Sequence, residues 1–263
     1  ASENIIIRGR SMHNIWSFIC DYNYRILPNI RKNNRLVLLK IFEKWEIEEK
    51  KKIVEEVLQY PTGNISDAMD NLGIRRGAIA GVHALDPKQK KAAGFALTIR
   101  QARRSTAYDG KNLARQGGII DTETNPYDML IIDMAGIQDV CTGGALLALR
   151  AKSRGVSGEL TNGCLRDADE IAELGFPVYC AGTFPVKSAR DIETIGVNVP
   201  VMLGGVQIIP GDLILMDRTG AVAIPADRID EVLKEAERIN AREAKMEELI
   251  RQGMSIVDAR KVK

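Results

Sequence analysis

The chain has 263 residues, of which 45% are hydrophobic and 27% are charged, and its net charge is +2. These values are typical of a globular protein, and so small a net charge gives no general argument for binding nucleic acid or a membrane. Aromatic residues make up only 5% of the chain, which disfavours RNA recognition by base stacking.

The sequence contains no apolar run near the roughly 20 residues that a membrane-spanning helix needs. Asp21, Asn23 and Arg25 interrupt the first apolar stretch, so we expect no signal peptide and a cytoplasmic location. The four scattered cysteines are expected to be free buried thiols. The sequence has only two histidines, which argues against a zinc site built on imidazole. Carboxylates would then hold any metal, which favours Mg²⁺ or Mn²⁺.

Residues 1–45 differ in character from the remainder of the chain. Up to Lys40 this segment holds seven basic residues and only two acidic ones, without a clear hydrophobic periodicity. We predict a basic N-terminal extension over residues 1–45 and an α/β domain over residues 46–263. The extension could be an arm that touches RNA, an arm that docks a partner, or a loosely packed segment.

The predicted elements follow in chain order. A charged amphipathic helix over residues 46–59 ends before Pro61, and Ser66 is expected to cap a short helix that ends at Leu72. Strands are predicted at residues 94–101, 129–134, 156–160, 177–181, 199–203, 213–216 and 221–224, with helices at 145–153 and 167–174. The pattern indicates one α/β core with a compact β section over residues 197–225.

A long amphipathic helix is predicted over residues 227–252. Asp227 is its expected N-cap, and Gly253 its expected end. Its apolar residues form a stripe at helical spacing, and because so long a helix lies at the end of the given sequence, we expect it to pack partly on a neighbouring subunit.

Two junctions between a strand and a helix carry the candidate chemistry. Gly143 and Gly144 open one helix, and Arg166 and Asp167 open the next. If both junctions face one cleft, helix N–H groups can bind a carboxylate, Arg166 can hold an anionic oxygen, and Asp167 can bind a divalent cation. The alternatives are structural: a tight glycine loop, an N-cap at Asp167 and a surface charge at Arg166.

Several segments together resemble the RraA-like family, which includes class II 4-hydroxy-4-methyl-2-oxoglutarate aldolases and protein regulators of ribonuclease E. The resemblance covers about residues 62–253, and its segments are TGNISDAMDNLG, GGALLALRAKSRG, TNGCLRD, AGTFPVKS and VPVMLGGVQIIPGDLILMDRTGAVAIP. It implies an α/β fold with a ββα core like that of the swivelling phosphohistidine domain, followed by a long C-terminal helix. It also implies homotrimers or hexamers with sites between subunits.

The resemblance also implies the roles of individual residues. Backbone N–H groups of the loop would bind the carboxylate of pyruvate, Arg166 would bind its oxo group, and Asp167 would hold Mg²⁺ or Mn²⁺. The loop residues are Gly143, Gly144, Ala145 and Leu146. By spacing, Glu243 matches the glutamate that an adjacent subunit adds to the metal site.

One position departs from the family pattern. Family members commonly carry an acidic residue where this chain has Ala145. That carboxylate would assist proton transfer, whereas binding through the backbone does not need it.

These observations lead to the hypothesis of a divalent-metal-dependent oxo-acid lyase. It would cleave a substrate like 4-hydroxy-4-methyl-2-oxoglutarate to pyruvate and a second oxo acid, and would decarboxylate oxaloacetate, both through pyruvate enolate. Three alternatives stay open: a non-catalytic protein that binds and modulates a ribonuclease, a lyase acting on a sugar-derived acid, and a Schiff base on Lys152 or Lys187.

Overall fold

The computed structural model describes residues 46–261, so the predictions for residues 1–45 lie outside the described part of the chain. The chain divides into two units after Glu49, and the description below concerns the unit that begins at Lys50. Within residues 46–261, none of the helices is both long enough and apolar enough to cross a bilayer.

The helices are α1 (46–57), α2 (Thr62–Asn71), α3 (Gln116–Glu123), α4 (Ala145–Ser153), α5 (Ala168–Leu174), α6 (Ile229–Arg251) and α7 (Ile256–Ala259). The first strands are β1 (His83–Ala84), β2 (Ala92–Arg103), β3 (Asp128–Asp133), β4 (Cys141–Gly143), β5 (Gly158–Thr161), β6 (Cys164–Leu165), β7 (Val178–Cys180) and β8 (Gly182–Thr183). The later strands are β9 (Ile192–Val197), β10 (Val201–Leu203), β11 (Val206–Ile208), β12 (Leu213–Asp217) and β13 (Gly220–Ile224). Two short 3₁₀ turns cover Ser188–Arg190 and Ala226–Arg228.

An eight-stranded mixed sheet forms the centre of the fold; seven of its strands follow the order β1-β7-β5-β3-β2-β12-β13, and β9 pairs with β2 beside this path. The four central strands β7, β5, β3 and β2 run parallel, and β12 and β13 join antiparallel. The 12-residue strand β2 pairs with two strands besides β3: β12 pairs with its first part, and β9 pairs with its last part, from Ile99 to Arg103. A register shift between Arg100 and Gln101 accompanies the second pairing.

Both faces of this sheet are covered, which explains why all six residues of β3 are buried. One face packs against apolar residues of α3, α4 and α5, and the other packs against the β10–β11 hairpin. Of the β section predicted over residues 197–225, β12 and β13 belong to the main sheet, and the β10–β11 hairpin forms a two-stranded sheet of its own.

Two predicted helix caps are wrong. Helix α2 begins at Thr62 rather than after Ser66, because the distant Asp217 carboxylate accepts hydrogen bonds of 2.8 Å from both the backbone N–H and the hydroxyl of Thr62. Helix α6 begins at Ile229, and Asp227 lies in the preceding 3₁₀ turn, where it makes no cap.

Helix α6 packs on the body of the protein through its first half only. Its buried residues are Ile229, Val232, Leu233, Ala236 and Ile239, and they include contacts with α2. From residue 240 onward no residue of α6 is buried. The amphipathic stripe predicted from the sequence continues through Met246 and Leu249, which are half-buried, and the short helix α7 packs against α6.

A buried carboxyl lies in the middle of the main sheet. Glu159 on β5 is 3% exposed, its strand neighbours are Leu130 and Val178, and its Oε1 has no hydrogen-bond partner among the described residues. Burial raises the pKa of Glu159 from 4.5 to about 7. The folded protein therefore holds a proton at Glu159 over a pH range in which the unfolded chain has lost it.

This predicts a loss of stability as pH rises. Below the unfolded pKa of 4.5, Glu159 is protonated in both states and does not make the free energy of unfolding depend on pH. Between pH 4.5 and about 7 only the unfolded state releases the proton, so the free energy of unfolding falls as pH rises. Above about pH 7 the whole loss is present. This loss is about 3 kcal/mol. Glu159→Gln is expected to remove this part of the pH dependence, so that it is more stable than wild type at pH 8 by more than at pH 5.

Urea unfolding of both proteins at the two pH values measures the effect. Glu173→Gln, at an exposed glutamate, is the matched control and is expected to behave as wild type. An advantage of Glu159→Gln that does not change between pH 5 and pH 8 would contradict the assignment.

Candidate active site

A small parallel sheet brings the two candidate junctions together. Strands β4, β6 and β8 lie side by side in that order, with Cys141 opposite Cys164 and Gly143 opposite Leu165. Directly beyond these pairs, the Arg166 N–H donates to the Gly143 carbonyl oxygen at 3.1 Å. Gly144 and the Arg166-Asp167 pair therefore lie at the same edge, where parallel strands present their carboxyl ends.

The space around Gly144 leaves no room for a side chain unless Arg166 and Asp167 move. Its backbone is extended, with φ −162°, which any residue can adopt. However, an added Cβ would overlap with Asp167 Oδ2 and would lie 3.0 Å from Arg166 Cγ and 3.2 Å from its Nε. The glycine thus allows the start of α4 to approach the side chains of Arg166 and Asp167 directly.

The Asp167 side chain links the two junctions. Its Oδ2 accepts a hydrogen bond of 3.1 Å from the Ala145 N–H, at the first residue of α4, and lies 3.5 Å from Arg166 Nε. Asp167 occupies the N-cap position of α5, yet its side chain does not cap that helix. Its backbone is left-handed, with φ 58° and ψ 45°, an unusual conformation for a residue other than glycine.

The pair of charges is open to solvent. The side chain of Arg166 is 43% exposed and that of Asp167 is 37% exposed. Arg166 donates with a planar fork that suits carboxylate and oxo oxygens, and Asp167 offers the hard oxygen ligand that Mg²⁺ and Mn²⁺ prefer. A small anion and a divalent cation can therefore both reach this edge.

Glu243 belongs to a different part of the surface. It is exposed on α6, and the shallow groove beside it is lined by residues of that helix alone, namely Glu243, Met246, Glu247, Ile250 and Arg251. Among residues 46–261, no three His, Cys, Asp or Glu side chains converge closely enough to hold a metal ion.

A thiol lies beneath the site. Burial raises the pKa of Cys141, and the nearby Arg166 charge opposes that rise while Asp167 adds to it. Cys141, Cys164 and Cys180 are all free and buried, which confirms the prediction for these three, whereas Cys20 lies outside the described residues.

A buried polar network supports the glycine loop from below, and sequence reasoning missed it. Thr142, next to Gly143, donates its hydroxyl to Gln101 Oε1 at 3.0 Å and receives a hydrogen bond from the Gln116 side-chain amide. Gln101 in turn donates to the Thr194 hydroxyl at 3.1 Å, and all four side chains are buried. This network joins β2, β9 and α3 to the strand that carries the loop.

The comparisons with known proteins agree with this architecture. Residues 62–223 match the family model RraA-like, described as Aldolase/RraA, so the chain belongs to the RraA-like family. The chain is 31% identical over 199 residues, covering 76% of it and 89% of the relative, to a Halalkalibacterium halodurans protein whose name provisionally assigns it as a 4-hydroxy-4-methyl-2-oxoglutarate aldolase.

Two further likenesses bear on the fold and on chain length. The crystal structure of Streptomyces coelicolor RraAS2, titled an unusual member of the RNase ES inhibitor RraA protein family, superposes with a TM-score of 0.65 at 29% identity, over 73% of this chain and 94% of that one. Protein DlpA of Legionella pneumophila is 27% identical over 79% of this chain, but the chain spans only 33% of DlpA. The predicted α/β fold with a long C-terminal helix is confirmed.

The polar network gives a stability prediction. Gln116→Leu leaves the Thr142 and Gln101 groups without their buried partner, which is expected to cost about 2 kcal/mol of unfolding free energy. Gln138→Leu, at an exposed glutamine, is the control and is expected to change stability by less than about 0.5 kcal/mol. Urea unfolding monitored by circular dichroism measures both, and equal effects of the two variants would count against the network.

Proposed function

We propose that the protein is a divalent-metal-dependent oxo-acid lyase. It cleaves a substrate like 4-hydroxy-4-methyl-2-oxoglutarate to pyruvate and a second oxo acid, and it decarboxylates oxaloacetate. The observation that carries this proposal is the contact of Gly144 with Arg166 and Asp167 at the start of α4. The name of the H. halodurans relative supports a carbon–carbon lyase.

The start of α4 binds the substrate carboxylate in this proposal. The N–H groups of Leu147 and Ala148 donate to the Gly144 carbonyl oxygen, and that of Ala145 donates to Asp167. Gly143 is paired with Leu165 within the small sheet, so we assign the ligand to the amides of Gly144 and Leu146, with Ala145 added if Asp167 shifts. Helix N-terminal amides favour an anion at this position.

Arg166 stabilises the charge that develops on the oxo oxygen. Both reactions break a bond to C3 of the substrate and leave pyruvate enolate, so one positively charged group serves both. Because the neighbouring Gly144 lacks a side chain, the guanidinium can lie over the bound carboxylate and oxo group. Such a contact is expected to lower the barrier by several kcal/mol, about 3 for one donor.

Asp167 holds the cation, and the donor set fits Mg²⁺ or Mn²⁺. A bound divalent ion would supply Lewis-acid polarisation of the oxo and carboxylate oxygens. Among residues 46–261 Asp167 belongs to no cluster of three ligating side chains, so we assign a second ligand to Glu243 of an adjacent subunit. The exposed position of Glu243 on the half of α6 that does not pack on the body supports this assignment.

We propose a homo-oligomer, a trimer or hexamer, as the active form. Leu146, at the site itself, is 81% exposed, and Leu149 one turn later is 48% exposed. Large apolar side chains exposed beside a site are typical of a surface that another copy covers. A cytoplasmic location stays a prediction.

The direct test follows pyruvate released from oxaloacetate and from 4-hydroxy-4-methyl-2-oxoglutarate, with and without Mn²⁺. Wild type is expected to release pyruvate faster than Mn²⁺ alone does. Arg166→Ala and Asp167→Ala are each expected to lower this rate about 100-fold or more, because the first removes the charge beside the enolate oxygen and the second removes the ligand of the cation. Arg150→Ala and Asp121→Ala remove an exposed ion pair of α4 and α3 and are the matched controls. Equal rates in all five proteins would refute the proposal.

Gly144→Ala tests the geometry separately. The new Cβ must push Asp167 and Arg166 away, and because both side chains are partly exposed, stability should fall by only about 1 kcal/mol while turnover falls about 100-fold. Gly118→Ala, where a Cβ meets nothing within 4 Å, should keep full turnover and gain stability slightly. Activity and thermal unfolding measured on both variants check this, and an active Gly144→Ala would show that the close approach is unnecessary.

A second candidate function is binding and modulation of a ribonuclease without catalysis. Its support is the likeness to RraAS2, whose title places it in an RNase ES inhibitor family. Retention of both Arg166 and Asp167 favours the enzyme, because a docking surface does not need this pair.

A further inference from the structure

Strand β4 carries an irregularity one residue before the glycine loop. Cys141 lies opposite Cys164 on β6. Two residues later along β4, Gly143 lies opposite Leu165, which is only one residue later along β6. Thr142 is therefore the extra residue of a β-bulge and has no opposite residue on β6. Bulges are over-represented next to active sites, where they re-aim the chain that follows them.

The bulge determines where the glycine loop lies along β6. In an unbroken register Thr142 would lie opposite Leu165, and each later residue of β4 would be displaced by about 3.3 Å along β6. Gly144 would then no longer lie against Asp167, and the Ala145 N–H would leave hydrogen-bond distance of that carboxylate. The contact between the two junctions therefore depends on the extra residue at position 142.

One buried side chain holds the bulge. The amide group of Gln116 donates to the Thr142 carbonyl oxygen and, at 3.2 Å, to the Thr142 hydroxyl. Gln116 is 4% exposed and Thr142 is 1% exposed, so these hydrogen bonds are shielded from water. Both oxygen atoms of the extra residue are thus satisfied by a single side chain from another element.

The position of Gln116 is itself fixed by the start of α3. Gln116 is the first residue of that helix, and Arg115 before it has a left-handed backbone, with φ 53°, which is unusual for a residue other than glycine. An added Cβ on Gly117 would lie 3.7 Å from Leu147 Cδ2, so the start of α3 packs against the first turn of α4. Gln116 therefore reaches β4 from a helix that also contacts α4.

On these grounds we propose that Gln116 is a positioning residue, which holds the bulge at Thr142 and thereby fixes the amides at the start of α4. This inference rests on the proposed function, in which those amides bind the substrate carboxylate. The carboxylate is bound alike in the ground state and in the transition state, so displaced amides weaken substrate binding and leave the chemical step nearly unchanged. Arg166, which meets the developing charge, follows β6 and not the bulged strand.

The test uses Gln116→Glu, which keeps the shape of the side chain but, as a carboxylate, donates no hydrogen bond. With oxaloacetate and Mn²⁺, KM is expected to rise about 10- to 100-fold while kcat stays within about 3-fold of wild type, the range for one charge-assisted hydrogen bond to the substrate. Thr124→Val is the matched control, because it removes a buried hydrogen bond of 2.6 Å at the other end of α3. It is expected to lower stability without changing KM.

A second pair of variants covers the case in which Gln116→Glu does not fold. Thr142→Val keeps the carbonyl oxygen that Gln116 binds and loses only the hydroxyl, so a smaller rise in KM, about 3- to 10-fold, is expected. Thr142→Ser restores the hydroxyl and is expected to recover the wild-type KM. A fall in kcat at unchanged KM would contradict the positioning role.

Binding of oxamate, an unreactive isostere of pyruvate, separates this inference from the function on which it rests. Calorimetry in the presence of Mn²⁺ is expected to show binding weakened about 10-fold or more by Gln116→Glu and unchanged by Thr124→Val. If this difference is found but wild type turns over no oxo acid, the lyase assignment fails and the role of Gln116 stands. If both variants bind oxamate equally well, or wild type binds none, the role of Gln116 is overturned.

Discussion

The Asp167 carboxylate accepts a hydrogen bond from the first N–H of α4, and this contact joins two strand–helix junctions that are 22 residues apart in the chain. It requires a glycine at position 144, since any side chain there would occupy the place of the carboxylate. It also requires β4 and β6 to lie side by side, which sets Gly143 next to Arg166. The candidate site exists only where these three conditions hold together.

The larger sheet supplies the rigidity that such short strands lack. Strands β4 and β6 have three and two residues and could not be stable alone. The polar network of Gln101, Gln116 and Thr142 ties β4 to the long strand β2, which is held by three other strands. The glycine loop, which we propose binds an anion through its amide groups, is thereby attached to the long central strand of the protein.

Sequence reasoning predicted the elements with strong local signals. The helix over residues 145–153 has the predicted bounds, and strands such as β3 and β12 were placed within one or two residues. It missed β4 and β6 because strands of two or three residues show no periodicity, and it missed α3 because the sequence QGGIIDTE has two glycines in its first turn, which disfavour a helix. The cap of α2 was missed for another reason, since Asp217 reaches Thr62 from 155 residues away. The positions of Arg166 and Asp167 could be predicted from the pattern, whereas the Ala145–Asp167 hydrogen bond could not.

The left-handed backbone of Asp167 has a consequence for how sequence change acts on this protein. A glycine would relieve that conformation, which costs an ordinary residue on the order of 1 kcal/mol. Screening for heat resistance alone would thus favour removal of the carboxylate, and with it the link between the two junctions. Thermal stability and the proposed activity therefore favour different residues at position 167. A thermostable variant that gained a glycine there would be expected to keep the fold and to lose the proposed activity.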